Sequence, residues 1–566
     1  MFMSPKKKNK KKLGLCSALE IPLIILLANN YLNQLGFVDF INRSVTWDEK
    51  QWSVSPGNLA KAIILATFFK VRAPLYIIKD SFEGIDTETL FGKGVLPEHL
   101  NDAALAQALD RMSDANLESL FSSFALSMYV KFTIPMNRLH SDTTSLSFYG
   151  EYEQCENDEE GLQIVRGYNK DHMPECKQVV VGKIVNEHGL AIINSTMNGN
   201  ISDIEWNQKA LGLIKDLFGK KLDKTIYIAD SKLINLPTLK ILRDVLQPIR
   251  FISRCPDNFY KKVANKMITK AYEENNWQEI GQVSNTKKAS LYSTQEFTTD
   301  VDGDELRFIV VKTSEGKGRA EREVLKQRKL FEEGITTLGK KTFVCEADAE
   351  EEWVRFQKDF RKNLHLAHRE LKKLETIKRP RGNPGKNPLP PVIETTWKVS
   401  VTIDGLDSER LKQMEQGKEC FVLITSVSVN ELDQEQVLRQ YKAQMVVEVQ
   451  FHLLKQPALA SVIFLKTPSR IDALVMLLNV SLLIRGLMQY KIRKSMKETQ
   501  EELPRIGANK GVLKNPTTNF LIEALNKAAL VREASGRYTY RLYNDYRSLC
   551  VRTFFQLLEV DMDDPF

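Results

Sequence analysis

The stretch RLHSDTTSLSFYGEY, residues 138–152, marks the point where the sequence changes from helix-forming to strand-forming. Before it, residues 13 to about 130 carry apolar side chains at helical spacing. Within it, β-branched and aromatic residues predict a strand. The elements that follow decide the fold, because they come in a specific order along the chain.

Two more strand candidates follow this stretch after an acidic loop, and then helix, strand, helix and strand alternate. In chain order these are KQVVVGKIV (177–185), LAIINSTMNG (190–199), DIEWNQKALGLIKDLFG (203–219), KTIYIAD (224–230), LPTLKILRDVL (236–246) and IRFISRC (249–255). Three strands followed by this alternation is the order of a ribonuclease-H-like sheet. We therefore predict an α/β fold with a mixed sheet of that kind, flanked by helices.

A long insert separates this sheet from the remaining core sequence. Residues 256–418 hold short strands, a charged helical run at 319–333 and a basic stretch at 361–386, which has nine Lys+Arg against two Glu. The basic stretch fits either a solvated helix with a flexible Pro/Gly linker or an arm that contacts a nucleic-acid backbone. After the insert the chain returns through the strand candidate CFVLITSV (420–427).

Composition indicates a soluble protein of several domains. The chain has 566 residues, 43% hydrophobic and 27% charged, with a net charge of +8. Its seven cysteines are scattered, odd in number and never spaced CxxC, which favours a reducing compartment over a zinc site or disulfide framework. The lysine run at 6–12 and the apolar residues after it lack a cleavage site, and the apolar run 471–484 is too short to span a bilayer. We expect a cytosolic protein without a membrane segment.

The segment YKAQMVVEVQFHLLK, residues 441–455, gathers polar side chains on one side. In a single α-helix, which turns about 100° per residue, five of them fall within an arc of about 80°. The ordinary explanation is a solvated face with a Glu–Lys pair. The five residues are Tyr441, Gln444, Glu448, His452 and Lys455.

Two aspartates suggest a more specific explanation. Asp142 lies in the first strand and Asp230 ends the fourth, where a carboxylate is costly unless it caps a turn, pairs or binds metal. Strands one and four are neighbours in a ribonuclease-H-like sheet, and the helix after the last strand crosses their ends, so Asp142, Asp230 and Glu448 should converge. Three carboxylates suit Mg²⁺ or Mn²⁺, and two such ions about 3.5–4 Å apart can activate a water or 3′-hydroxyl on a phosphodiester. Lys455 would then meet a phosphate.

At these residues the chain resembles bacterial insertion-sequence DDE transposases of the branch with a Tyr-x2-Arg-x3-Glu-x6-Lys signature. Tyr441, Glu448 and Lys455 match the spacing, whereas Gln444 stands at the arginine position. The resemblance covers residues from about 13 to 490. It includes DTTSLSFYGEY, GYNKDHMPECKQVVVGKIV, NGNISD, YIADS, FVCEADAE and ELDQEQVLRQYKAQ.

The resemblance implies a transposase that nicks element ends and joins the freed 3′-hydroxyl to target DNA by direct transesterification. It implies Mg²⁺ as cofactor, with Mn²⁺ as a substitute, and as partners double-stranded DNA at the terminal inverted repeats and the target. A homodimer or larger synaptic complex and a bacterial, nucleoid-associated cytoplasmic location follow from it too, and a DNA hairpin is one route for the second strand. The implied metal ligands are Asp142, Asp230 and Glu448. The implied DNA contacts are Tyr441, Gln444 and Lys455, with Arg439 or Lys442 in place of the missing arginine. Thr143 and Ser231, next to the two aspartates, are weaker candidates for orienting those carboxylates.

On this basis the predicted domains follow the catalytic core. They are a disordered basic tail (1–12), a helical N-terminal domain for DNA binding or assembly (13–130), the core in two parts (131–255 and 419–490), the insertion (256–418) and a C-terminal helical region (491–566).

Two alternatives to a transposase stay open: a domesticated, non-catalytic DNA-binding protein, and a structure-selective nuclease with the same site. GITTLGKK (334–341) lacks the Ser/Thr of a phosphate-binding loop, and CEADAEEE (345–352) is typical of a solvated helix start. His140 and His172 are interpreted as structural, and His452 lies on the face of Glu448.

Overall fold

The computed structural model folds into two compact units. One unit comprises Met1–Phe251 with Ala443–Phe566, and the other comprises Ile252–Lys442. The lysine tail, most of the acidic loop and the Pro/Gly linker lie outside the described residues. Described are residues 19–69, 74–150, 152, 161–219, 224–244, 248–284, 289–378, 392–456, 465–504, 511–526, 528–542 and 545–566.

The first unit begins with a short strand, β1 (Leu19–Pro22), followed by helices as far as Lys131. Local capping explains where several of them start: Ser55 caps α3, which has Pro56 in its first turn, and Asn116 caps α7. The helices are α1 (Leu23–Gln34), α2 (Phe37–Ser44), α3 (Pro56–Ala66), α4 (Ile78–Ser81), α5 (Thr87–Phe91), α6 (Asp102–Ser113) and α7 (Leu117–Lys131).

The central sheet of the first unit follows these helices. It holds β2 (Arg138–Phe148), β3 (Lys177–Asn186), β4 (Ala191–Asn198), β5 (Ile226–Ala229) and the start of β6 (Arg250–Arg254), with α8 (Asp203–Phe218) and α9 (Leu236–Leu242) between strands. The strand order is β4-β3-β2-β5-β6. β2 runs antiparallel to β3 and parallel to β5, so the sheet is mixed and the predicted neighbourhood of strands one and four is confirmed.

The second unit carries its own strands and helices. The end of β6 pairs with β12, and the order continues β12-β9-β8-β7. Its elements are α10 (Val263–Glu274), β7 (Gln278–Gln282), β8 (Leu291–Val301), β9 (Asp304–Thr313), α11 (Gly316–Lys340), α12 (Glu346–Asp359), β10 (His365–Lys378), β11 (Val392–Leu406), α13 (Ser408–Glu419), β12 (Cys420–Thr425) and α14 (Gln434–Lys442).

Within the basic stretch, residues 365–378 form a strand and not the solvated helix that we considered. β10 pairs antiparallel with β11. The first residues of β10 alternate between half-buried and exposed positions, which is the period of a strand, and Ala367 and Leu371 pack against a small apolar core that includes Trp353 and Val399. Charge composition suggested a solvated surface, but the two-residue period decides the element.

The described part of the first unit continues with the helices α15 (Met445–Lys455) and α16 (Pro468–Thr499). Among the described residues, α16 is the one helix long and apolar enough to cross a membrane, with a mean hydropathy of 1.8 over its best window. In this structure 89% of that window is buried inside the protein, where α16 packs against α1, α3, α6, α7 and β4. The apolar run 471–484 is thus the centre of a longer core helix.

The C-terminal region contains strands as well as the predicted helices. Its elements are β13 (Leu503–Pro504), β14 (Val512–Leu513), α17 (Thr518–Leu525), β15 (Ala528–Arg532), β16 (Tyr538–Leu542) and α18 (Asp545–Leu557). β1 pairs antiparallel with β15, from Leu19↔Arg532 to Pro22↔Ala529, and β16 completes this small sheet. Such short strands are difficult to recognise in sequence, because their partner lies at the other end of the chain.

Candidate active site

Asp142 and Asp230 are brought together by the pairing of β2 with β5. The register of this parallel pair runs from Arg138↔Ile226 to His140↔Ile228. Two residues further on, the same register sets Asp142 beside Asp230, the residue that follows β5. Residues 88 positions apart in sequence (230 − 142) therefore meet at one point of the sheet.

The two carboxyl groups are held in an environment that disfavours negative charge. Burial raises the pKa of Asp230 to about 6, and the negative charges of Asp142 and Asp203 contribute to the increase. Burial also raises the pKa of Asp142, against the opposing effect of the nearby Lys170 ammonium. A cluster of carboxylates that repel one another is favourable for binding a cation.

A third carboxylate, Asp203, lies next to Asp142, and our sequence analysis gave it no role. Asp203 is the first residue of α8, whose N-terminus is fixed by a capping box between Ser202 and Glu205. Its Oδ1 accepts a hydrogen bond of 2.5 Å from the Thr143 hydroxyl. Asp203 ends the segment NGNISD, which is one of the segments that resemble the transposase family. That resemblance was the signal in the sequence that could have identified Asp203 as a site residue.

Lys170 is the second residue that sequence reasoning missed. Its Nζ lies 3.4 Å from Asp142 Oδ1 and 3.2 Å from Asp203 Oδ1, and it donates to the Thr143 hydroxyl at 2.6 Å. Burial works against the ammonium charge, but Asp142 and Asp203 outweigh it and raise the pKa of Lys170. The acidic cluster thus contains its own cation.

Thr143 and Ser231 occupy the positions next to the two aspartates. The Thr143 amide donates to Asp142 Oδ1 at 2.7 Å, whereas its buried hydroxyl donates to Asp203, so the backbone and side chain of one residue contact the two carboxylates. Asp230 caps the short turn that starts at Ser231, accepting from the Lys232 amide at 3.1 Å. Backbone donors therefore orient both carboxylates.

The single helix predicted for residues 441–455 is divided into two. α14 ends at Lys442, and α15 begins at Met445. The amides of Val446 and Val447 bond only three residues back, at 3.1 Å each, which tightens the turn between the helices. The prediction of one uninterrupted helix was therefore wrong; Glu448, His452 and Lys455 share α15.

Glu448 lies on the exposed side of α15. The buried side of this helix is formed by Val447, Gln450, Phe451 and Leu454, and α15 packs against β2 and β3. In the described part of the chain, no group of three or more His, Cys, Asp or Glu side chains is placed to hold a metal ion. The structure thus joins Asp142 and Asp230, and the role of Glu448 stays a prediction.

Lys455 ends α15 in an ion pair with Asp171. Its Nζ lies 2.6 and 2.7 Å from the two carboxylate oxygens of Asp171. Both residues line a cavity of about 750 Å³ with aromatic walls that include Phe148 and Tyr149, and Lys466 adds a second cation there. The lysine assigned to a phosphate is therefore already paired with an anion of the protein.

The other predicted DNA contacts lie on or beside α14. In the second unit, the Tyr441 ring centroid is 6.3 Å from that of Phe421, and the Lys442 ammonium is 5.2 Å from the Phe421 ring. Arg439 pairs with Glu435 of the same helix at 2.7 Å. In the first unit, Gln444 is half-buried at the residue before α15. These positions do not test a DNA contact.

Two basic side chains are buried in the strands next to Asp142, His140 in β2 and Lys183 in β3. His140 is fully buried, with neither ring nitrogen hydrogen-bonded within the described residues, and burial together with the charge of Arg138 lowers its pKa to about 4. Lys183 lies opposite Asp142 in the register of β3 and β2, and burial lowers the pKa of Lys183 to about 7. Its Nζ lies 5.5 Å from the Phe451 ring centroid. His140 has no exposed surface with which to reach a substrate.

Two further histidines and two sequence motifs have ordinary structural settings. His172 is exposed with a φ of 59°, and His452 is exposed on α15. Most of GITTLGKK lies inside α11, where no phosphate-binding loop can form, and CEADAEEE starts α12. Both motifs therefore have the structures expected of ordinary helices.

Comparison with known proteins adds little to this description of the site. Residues 23–126, the N-terminal helices, match the family described as a domain of unknown function, DUF4277. No curated protein matches the sequence. Among solved structures, six chains match, one of them in a cryo-EM structure of a piggyBac transposase synaptic complex with hairpin DNA. That match has a TM-score of 0.36 and 9% identity over 90% of this chain and 80% of the other, too low to support a conclusion about fold or activity.

Proposed function

We propose that this chain is a DNA transposase that cleaves phosphodiesters at element ends and transfers the freed strand into target DNA. The observation that supports it best is the β2–β5 register, which sets Asp142 beside Asp230. These are two of the three carboxylates, with Glu448, that the resemblance to bacterial insertion-sequence DDE transposases implies as metal ligands. The strand order β4-β3-β2-β5-β6 also supports a ribonuclease-H-like core.

The proposed cofactor is Mg²⁺, with Mn²⁺ as a substitute. Carboxylate oxygens are the donors that these hard cations prefer. Burial and the neighbouring charges of Asp142 and Asp203 raise the pKa of Asp230 although Lys170 is near, which is consistent with a site that takes up a further cation. Asp142 and Asp230 would hold the metal, with Glu448 of α15 as the third ligand. A bound ion would supply the polarisation that activates a water or 3′-hydroxyl and stabilises the leaving oxygen.

The other residues have proposed roles toward DNA. Lys455 would neutralise a phosphate near the cut, once its pair with Asp171 is broken. Tyr441 and Gln444 would contact DNA at their signature positions, with Arg439 or Lys442 providing the charge that Gln444 lacks. The partners are the terminal inverted repeats and target DNA, and the proposed assembly is a homodimer or larger in a bacterial cytoplasm.

The test is a single-turnover nicking assay on DNA ends taken from the inverted repeats that should flank the gene. Asp142→Asn and Asp230→Asn should each eliminate nicking, and the double variant should be no worse, because residues that act as one unit are non-additive. Asp216→Asn, an exposed residue of α8, is the matched control and should nick like wild type.

The products separate this proposal from its alternatives. Joined products of element end and target establish transposition. Nicking without joined products would instead indicate a structure-selective nuclease, and end binding without any nicking by wild type would indicate a domesticated DNA-binding protein. Nicking by either Asn variant at the wild-type rate would remove the two aspartates from the site.

A further inference from the structure

Two consecutive residues, Lys170 and Asp171, contact opposite charges of the candidate site. The Lys170 ammonium lies 3.4 Å from Asp142 and 3.2 Å from Asp203. Asp171 binds the Lys455 ammonium through both carboxylate oxygens, at 2.6 and 2.7 Å. One dipeptide therefore supplies a cation to the acidic cluster and an anion to the lysine assigned to a phosphate.

The dipeptide is held in place by defined hydrogen bonds. Buried Asn169 accepts from the amides of Asp171 and Met173 at 2.8 and 3.2 Å. Its side-chain amide donates to Ser147 of β2 and to Gln178 of β3, at 2.8 Å each. The backbone of the segment is thus anchored to β2, which carries Asp142, and to β3, so Lys170 and Asp171 start from a fixed position beside the candidate site.

The charges of the dipeptide match those of the ligands proposed for the site. A metal ion that used the same oxygens of Asp142 would lie within a few ångströms of the Lys170 ammonium, and like charges at that distance repel strongly outside bulk water. A phosphate would likewise compete with Asp171 for Lys455. The side chains of Lys170, Lys455 and Asp171 are 27%, 25% and 36% exposed, so water can reach both pairs and exchange is feasible.

We propose that Lys170 and Asp171 are internal substitutes for the ligands of this site: a divalent metal ion displaces Lys170 from Asp142 and Asp203, and a DNA phosphate displaces Asp171 from Lys455. Because the two residues are adjacent, loss of one pair weakens the other. Metal and DNA should therefore bind with positive and reciprocal coupling. The inference rests on the proposed function, since it requires that the site takes a metal ion and a phosphodiester.

The metal half is tested by melting curves of the full chain at increasing Mg²⁺. Lys170→Met should melt below wild type without metal, because the carboxylates lose their counter-ion, and should bind Mg²⁺ about tenfold more tightly, because no ammonium competes. Lys170→Arg keeps the charge and should resemble wild type. Lys240→Met, an exposed lysine of α9, controls for loss of a surface charge.

The DNA half is tested with a pre-nicked end duplex, which permits binding measurements with Mg²⁺ present. Without metal, Asp171→Asn should bind this duplex more tightly than wild type, with a slope of log K against log salt steeper by about one ion, because Lys455 is released. Lys455→Ala should have the wild-type slope without metal and a shallower one, by about one ion, with Mg²⁺. Lys497→Ala, exposed near the end of α16, is the control.

The outcomes separate this inference from the proposed function. If wild type binds Mg²⁺ and the duplex but Lys170→Met binds Mg²⁺ no more tightly, Lys170 has a structural role only and the inference is wrong. Equal salt slopes for wild type and Asp171→Asn without metal would contradict the DNA half. If wild type binds neither Mg²⁺ nor end DNA, the proposed function fails and this inference fails with it.

Discussion

At the scale of single residues, the candidate site is defined by charges placed where charge is unfavourable. Asp230 follows a fully buried strand, and Asp142 lies inside another. Residues with strongly perturbed pKa values concentrate at functional sites, because binding or catalysis compensates for their cost. Two predictions concern individual carboxylates, Asp230 and Glu448.

The first prediction concerns pH and Asp230. Its pKa is raised from 3.8 to about 6 in the folded protein, so between these values the folded state binds the proton more tightly than the unfolded state. Stability without metal should therefore fall as pH rises through this range, and Asp230→Asn should remove that fall. At pH above about 7 the variant should be more stable than wild type by at most about 3 kcal/mol, because partial exposure screens the charge.

Melting curves of wild type and Asp230→Asn across pH 4–8 in a chelator measure this difference. It should disappear near pH 4, where both proteins carry a neutral side chain. Asp216→Asn should follow wild type throughout. A variant that melts below wild type at neutral pH would show that the Asp230 carboxylate is stabilising, which contradicts the prediction.

The second prediction concerns Glu448, whose role the structure leaves open. Glu448→Gln keeps the size of the side chain and removes its charge, so it should abolish nicking while end binding stays within a few-fold of wild type. The folded protein should keep its melting temperature, because the side chain is exposed. Glu498→Gln, exposed on α16, is the control. Nicking by Glu448→Gln at the wild-type rate in Mg²⁺ would exclude Glu448 as a ligand.

At the scale of elements, the aspartates are positioned by close packing of β3 on α8. Gly182 of β3 pairs with Thr143 of β2, the residue after Asp142. A Cβ built on Gly182 would lie 2.6 Å from ring atoms of Trp206, a fully buried side chain of α8 whose indole nitrogen donates to Ser141 at 3.0 Å. Glycine therefore lets the helix approach the sheet.

The third prediction follows from this contact. Gly182→Ala should lower the free energy of unfolding by about 1–3 kcal/mol, because the rigid indole ring cannot move aside. Gly212→Ala on α8 is the matched control: a Cβ there meets nothing within 4 Å, so it should be neutral or stabilising by about 0.5–1 kcal/mol. Urea unfolding of both variants measures the difference. Equal midpoints for the two would show that β3 and α8 separate without cost.

At the scale of the whole molecule, the two ends of the chain belong to one folded unit. β1 pairs with β15, and the Tyr31 hydroxyl donates to the Leu558 carbonyl at 2.6 Å. The Asn30 amide also donates to the Pro565 carbonyl at 3.2 Å. The N-terminal helices are therefore completed by residues more than 500 positions away, and they should depend on the C-terminal segment for stability.

The fourth prediction tests how far the N-terminal helices depend on the C-terminal segment, by removing the Tyr31 hydroxyl. Tyr31→Phe leaves a buried carbonyl without its donor and should lower the free energy of unfolding by about 1–3 kcal/mol. Tyr76→Phe removes a hydroxyl from a side chain that is 59% exposed and should have little effect. The two variants are compared by melting temperature and by the rate of limited proteolysis near the C-terminus. Identical behaviour would mean that the Tyr31–Leu558 bond contributes nothing measurable.

The sequence by itself determined the local elements and their order. Runs rich in β-branched and aromatic residues predicted β2 to β6 within a few residues, because such side chains fit the half-buried surface of a sheet. The capping box at Ser202 and Glu205 marks the start of α8 in the sequence as it does in the structure. Strand order then predicted that β2 and β5 are neighbours, and with them Asp142 and Asp230.

Only the tertiary structure decided which other charges join those two aspartates. Lys170 and Asp203 come from segments with no regular spacing to Asp142, and their contact depends on loop paths that local periodicity does not encode. The division of 441–455 into α14 and α15, the strand β10 and the pairing of β1 with β15 were likewise not predictable. Lys170, Asp203 and β1 meet partners distant in sequence, and a local pattern reports only which side of an element is buried, not what covers it.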